Sequence, residues 1–348
     1  MTALVVGGAG FIGCHLARRH LDRGDRVIIL DNLSRFGSDL NWAWLRAAGG
    51  DRVTLVRGDI AAPGDELLAA VRAADVVYHL AAQVAVTTSV AEPRHDFLVN
   101  ALGTFNVLEA VRRAGHNPVL FYSSTNKVYG GMEGVAVVER QGRYAYRDYP
   151  QGISEGQTLD FHSPYGCSKG AADQYVRDYA RIYNLRTVVF RQSCIYGTRQ
   201  FGVEDQGWIA HFIIAARRGL PVTIYGDGKQ VRDVLYVDDL ADAYDAARAK
   251  IDEAAGKIFN IGGGPNNVLS LLELVALLEQ RRGGKLGPRF GPVRPGDQPV
   301  YVSDIAKARR ELGWAPRVGV RDGVARLADW VDANTGLFDG LFGLEAKP

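Results

Sequence analysis

A series of short, uninterrupted apolar runs, each followed by a stretch of helical periodicity, restricts the fold most. Residues 3–6, 27–30, 53–56, 76–80, 119–122 and 187–190 read as strands, and 14–23, 67–72, 104–114 and 169–183 read as helices between them. A strand with one wet face alternates polar and apolar residues, whereas these runs are continuous rather than alternating and call for burial on both faces. Strand–helix alternation of this kind predicts a parallel sheet with helices on both sides, the doubly wound α/β (Rossmann) fold.

After about residue 190 the pattern loosens and Gly and Pro become frequent, which predicts a smaller second lobe. The expected division is a dinucleotide-binding domain over 1–190, a substrate lobe over 191–340 and a tail over 341–348 that frays from Gly340 on. Residues 234–261 are expected to return to the first domain. The stretch from Gly131 to Ser163 is too long for an ordinary loop and reads as a lid or an excursion near the site. A chain of 348 residues has room for this two-lobed plan.

Composition narrows the classes of partner. The net charge of +2 is too small for nucleic-acid or membrane attraction by bulk electrostatics. No apolar run is long enough to cross a bilayer, and the chain opens directly on a strand without a basic segment and apolar core. Cys14, Cys167 and Cys194 have no metal or disulfide spacing. No metal site is expected, and a reducing cytoplasm fits.

Gly7-x-x-Gly10-x-x-Gly13 follows the first strand and opens the first helix. Glycines there allow a tight turn and close approach of a pyrophosphate, while free helix amides face the phosphates. Asp31 ends the second strand at the spacing of an acid that binds both ribose hydroxyls, and its charge disfavours a 2′-phosphate, so NAD is expected over NADP. Arg35 lies near enough to bear on that choice. The cofactor set, drawn from strand ends and the glycine loop, is Gly7, Gly10, Phe11, Ile12, Gly13, Asp31, Asn32, Ser34, Arg35, Asp59, Ile60, Leu80, Ala81, Ala82, Val84, Asn100, Ser123, Tyr165 and Lys169. Asn100 reads either as a contact or as an anchor within the sheet–helix packing.

Tyr165 and Lys169 are four residues apart at the start of a helix and therefore share a face. A phenol titrates near pH 10 in water, so service as a base needs a neighbouring positive charge, which Lys169 and a nicotinamide would supply. Ser123-Ser124-Thr125 lies at the carboxyl end of a strand, the edge where such folds bind ligands. A hydroxyl there suits the substrate oxygen that loses its proton.

These residues resemble the extended short-chain dehydrogenase/reductase superfamily over nearly the whole chain. Three stretches are similar to CDP-paratose 2-epimerases (CDP-tyvelose epimerases): Ser123 to Gly130, His162 to Tyr175, and Gly228 to Leu235, with Gln206-Gly207-Trp208 in support. The resemblance implies Tyr165 as acid/base, Lys169 as its partner and Thr125 as the hydroxyl sharing the substrate proton. It further implies Gln206, Arg232, Arg294 and Asp297 on a CDP-linked sugar, a homodimer, and inversion at carbon 2. Many superfamily members carry Asn where Cys194 stands, so Cys194 reads as lining, not as a nucleophile. Inversion at carbon 4 is the nearest alternative. A 4,6-dehydratase needs an acid pair after the threonine, where this chain has Asn126 and Lys127. A non-catalytic NAD-binding protein has no need of Thr125, Tyr165 and Lys169 together.

Overall fold

The computed structural model describes residues 1–294 and 297–342. Seven parallel strands form the central sheet, in the spatial order Ile258–Ile261, Thr187–Gln192, Val119–Thr125, Val76–His79, Thr2–Val6, Arg26–Asp31 and Val53–Arg57. The chain order reverses direction beside the first strand, so a crevice opens there at the carboxyl ends.

The first strand shows why continuous apolar runs are required. Ala3 and Val5 enter one core cluster with Leu16, Leu21, Leu45 and Tyr244, while Leu4 and Val6 enter another with Leu67, Val107, Val111 and Val176. Helices Phe11–Asp22, Ser38–Gly49 and Val237–Ala249 contribute to the first face. Asp65–Arg72, Gly103–Arg112 and Ser163–Tyr183 cover the other.

A third cluster gathers helices Trp208–Arg218, Leu271–Arg282 and Val320–Ala333 around a smaller sheet. Its hub is the strand Val231–Tyr236, paired with Cys194–Tyr196, Val268–Ser270 and Val300–Tyr301. Residues 234–261 serve both lobes: Val234, Leu235 and Tyr236 pair into the smaller sheet, yet Leu235 packs in the first-face core with Ala3 and Val5. The helix Val237–Ala249 continues onto the first helix, where Arg23 and Arg19 pair with Asp245. The strand Ile258–Ile261 then joins the edge of the large sheet.

The excursion after Gly130 contains an antiparallel hairpin, Val137–Arg140 with Arg143–Tyr146. It is clipped down: Ile153 bridges to Ser303, and the Asn260 N–H donates to Glu155 Oε1 at 2.7 Å. Residue 341 departs from the expected frayed tail, since Leu341 is buried with Phe338 in the third cluster. Residues 343–348 lie outside the described residues.

Candidate active site

The glycine loop is shaped by close approach. Gly7 has φ +82°, and a side-chain carbon there would sit 2.5 Å from the backbone nitrogen of Ala81. A carbon on Gly13 would run into the Gly7 carbonyl. Leu80 and Ala81 hold their side of this contact by donating backbone N–H bonds to the Val6 carbonyl. Gly10 precedes a helix whose start has no side-chain cap, so the first-turn amides of Phe11, Ile12 and Gly13 are available to an anion.

Asp31 stands beside this loop, accepting the Ala9 N–H at 3.0 Å and the Leu33 N–H at 2.8 Å. Burial raises its carboxyl, while those backbone bonds and Arg35 oppose the rise. Asn32 donates to Asp59 at 3.0 Å and accepts the Ser34 N–H. Ile60 is buried behind Asp59, and Ala82 and Val84 are half-buried along the facing loop.

Asn100 supports this loop from behind. Its Oδ1 accepts the Gln83 N–H at 2.9 Å, and its Nδ2 lies within donor distance of the Gln83 carbonyl, Asp96 and Ser168. A widened π-helical turn over Leu98–Leu102 carries it, a local irregularity often found beside functional sites. The structure therefore places Asn100 as an anchor.

Thr125 ends the strand Val119–Thr125; its hydroxyl accepts the Lys127 N–H at 3.2 Å, lies 3.5 Å from Asn126 Oδ1 and acts on the neighbouring Tyr165 phenol. Tyr165 and Lys169 are both buried on the helix Ser163–Tyr183. Lys169 does not turn to the phenol: its Nζ donates to the Ser123 carbonyl at 2.6 Å and stands 4.4 Å over the Tyr122 ring. Burial pushes the Tyr165 phenol up to about 12, with Thr125 opposing and Asp96 adding. Burial likewise pushes the Lys169 ammonium down to about 7, against Asp173 and Asp96. Thr125 favours phenolate here, while the ammonium of Lys169, one helical turn on, is held at the Ser123 carbonyl.

Across the crevice lies a cleft lined by Val84, Lys127, Gln206, Trp208, Arg232, Arg294 and Asp297, among others. Arg232 Nη2 lies 2.5 Å from Asp297 Oδ1, and its Nη1 donates to the Val231 carbonyl. Arg294 stands 3.0 Å from Asp205 and 3.9 Å over the Tyr225 ring. Arg35 donates to Gln206 and so ties the two sides together. Pro295 and Gly296, between Arg294 and Asp297, lie outside the described residues. Cys194 accepts the Trp208 indole N–H at 3.2 Å, and burial pushes its thiol up to about 11. That keeps the sulfur protonated and argues against a nucleophile.

A family model described as NAD dependent epimerase/dehydratase family matches residues 3–262, which include the glycine loop and the Thr125, Tyr165 and Lys169 group. The chain belongs to this family. A CDP-paratose 2-epimerase of Salmonella typhi is 47% identical over 339 residues, covering 96% of this chain and 100% of the relative. A UDP-glucose 4-epimerase of Mycolicibacterium smegmatis is 34% identical, covering 95% and 98%. The solved dTDP-glucose 4,6-dehydratase from Streptomyces venezuelae, with NAD and TYD bound, superposes with a TM-score of 0.84 at 31% identity, covering 98% and 100%.

NAD is the cofactor of this epimerase/dehydratase family, and the glycine cradle, the uncapped helix and Asp31 fit a dinucleotide. Among the described residues no group of three or more His, Cys, Asp or Glu is placed to hold a metal, and no helix is long and apolar enough to cross a membrane.

Sequence reasoning missed the groups that hold the site from behind. Asp96, with no exposed surface, receives Ser168, Asn100 and Gln83 as donors. Asp173 receives Arg191 and Ser124. Asp96 lies four residues before Asn100, so the spacing was legible, but a lone acid in a helix ordinarily faces water. Glu204 and Asp205, beside Arg294, sit in a loop without periodicity and left no signal.

Proposed function

We propose that this protein inverts carbon 2 of a CDP-linked hexose, converting CDP-paratose to CDP-tyvelose. The observation that carries this reading is the end-to-end 47% identity with a CDP-paratose 2-epimerase. The Thr125 hydroxyl beside the buried Tyr165 phenol at the crevice supports the chemistry.

Bound NAD supplies a hydride acceptor and a positive charge that favours phenolate. Tyr165 takes the proton of the sugar hydroxyl, and Thr125 hydrogen-bonds the same oxygen. Lys169 keeps a cation at the Ser123 carbonyl, suited to a ribose hydroxyl. The keto-sugar must then present its other face, so the nucleotide has to be held while the sugar turns. Arg232 and Arg294 suit that task, because guanidinium forks match phosphate oxygens. Binding would require each to exchange its carboxylate partner for the diphosphate. Gln206 and Asp297 line the same cleft and join the proposed substrate set.

Under this proposal residues 1–190 carry NAD and 191–340 carry the nucleotide sugar. A homodimer in the cytoplasm completes it. Phe97, Phe105, Tyr175, Ile182 and Tyr183 are exposed on neighbouring helices, an apolar face suited to a second copy. The free cysteines suit a reducing compartment.

The test is a comparison of kcat/KM for CDP-paratose, CDP-glucose and UDP-glucose. The proposal expects CDP-paratose to be preferred and its product to be the carbon 2 epimer. Preference for UDP-glucose with inversion at carbon 4 would refute it.

A further inference from the structure

The cleft that holds Arg232 and Arg294 contains a third cation, Lys127, which the roles above do not use. Lys127 follows Thr125 by two residues, and its backbone N–H donates to Thr125 Oγ1 at 3.2 Å. Its side chain lines the cleft with Arg232, Arg294 and Asp297. It therefore stands where the hydroxyl that meets the reacting carbon adjoins the arginines suited to the diphosphate. Burial pushes its ammonium down to about 8, with Arg232 adding to the fall and Asp297 opposing it.

The chemistry of the reaction says which anion would reach this cation. Carbon 2 of a nucleotide sugar is bonded to carbon 1, which carries the sugar-linked phosphate. Placing carbon 2 at Thr125 and Tyr165 brings that phosphate close to Thr125, whereas placing carbon 4 there puts the width of the ring between them. We infer that Lys127 binds the sugar-linked phosphate and thereby favours carbon 2 over carbon 4 at the catalytic pair. The inference rests on the carbon 2 reading proposed above. Lysine suits the task better than arginine in one respect: its ammonium is a compact charge on a flexible stem, able to follow the phosphate as the sugar turns.

Calorimetric titration of the NAD-loaded protein with CMP and CDP tests this, because only CDP carries the phosphate that would be linked to sugar. Lys127→Met should weaken CDP by about tenfold or more, the usual cost of one charge-assisted hydrogen bond, and leave CMP within about twofold. Lys127→Arg should restore most of the CDP affinity. Equal weakening of CMP and CDP, or no weakening of CDP, would overturn the inference, and retained CMP binding shows that the variant is folded. Neither ligand contains a sugar, so the titration is independent of which carbon inverts. Inversion at carbon 4 by the unaltered protein would overturn the carbon 2 reading and the positional selection built on it, leaving the phosphate contact to the titration. If the unaltered protein binds UDP but not CDP, the cytidine reading falls and UMP with UDP decides Lys127 in the same way.

Discussion

Tyr165 and Thr125 set the chemistry at the scale of single residues. A phenol held at about 12 is protonated at neutral pH until charge arrives to favour its anion. Tyr165→Phe should keep NAD bound and lower kcat by roughly a hundred- to ten-thousand-fold, the range for loss of a general acid–base. Steady-state rates and the NAD content of the purified variant check this. Lys169 gives a second prediction, with its sign fixed by linkage. Its ordinary value is 10.5 and burial lowers it to about 7. Between those values the unfolded chain holds a proton that the folded chain lacks, so stability rises with pH across that window. The contribution is present above 10.5 and lost as pH falls toward 7. Urea unfolding of cofactor-free protein at pH 7 and pH 9.5 should show Lys169→Met losing part of this slope, by up to about 1.4 kcal/mol per pH unit. An unchanged slope would contradict the burial of the ammonium. Of the proposed catalytic group, Tyr165 and Lys169 were legible from their spacing, and the strand end marked Ser123-Ser124-Thr125, among which the resemblance singled out Thr125. Lys169's turn toward Ser123 was not, since a shared helix face does not fix where a long side chain ends.

Elements carry the next level of information. Six strands of the parallel sheet were legible because burial leaves them mostly apolar, most fully in Thr2–Val6, Val76–His79 and Val119–Thr125 and least in the edge strand Val53–Arg57. The strand Val231–Tyr236 was only half legible, and the reason is functional. Arg232 and Asp233 interrupt its apolar run: Arg232 lines the cleft, while buried Asp233 accepts from Ser193 and from the Gly264 N–H. The hairpin over Val137–Tyr146 was illegible because its strands are short and mostly half-buried or exposed. Between elements, Asp96 fastens the loop at Gln83 to the catalytic helix at Ser168. Asp96→Ala would remove the buried charged acceptor shared by Ser168, Asn100 and Gln83 and should cost about 2–3 kcal/mol of stability. It should lower kcat more than it raises KM, because the loop and the Tyr165 helix lose their common anchor. Thermal unfolding with steady-state kinetics checks both, and an unchanged melting temperature would remove Asp96 from this role.

For the whole molecule, the crevice between the sheet end and the smaller sheet explains how one side can hold a dinucleotide while the other holds a charged substrate. The Arg35–Gln206 bond crosses between them. Tyr175 is exposed on the Ser163–Tyr183 helix and meets Phe105 edge-on at 6.1 Å between ring centres. Tyr175→Glu would place a charge in the face assigned to the second copy. Light scattering should show a dimer for the unaltered chain and a monomer for the variant. A monomer in both would contradict the assignment. The assembly was suggested by resemblance alone, since single exposed aromatics carry no such information in a sequence.

The most direct test of the central claim is NMR of the purified protein with CDP-paratose in deuterated water, with no nicotinamide added. The account predicts CDP-tyvelose with its carbon 2 proton retained, because the hydride that leaves that carbon is the one returned to its other face. Deuterium at carbon 2, or inversion at carbon 4, would contradict it.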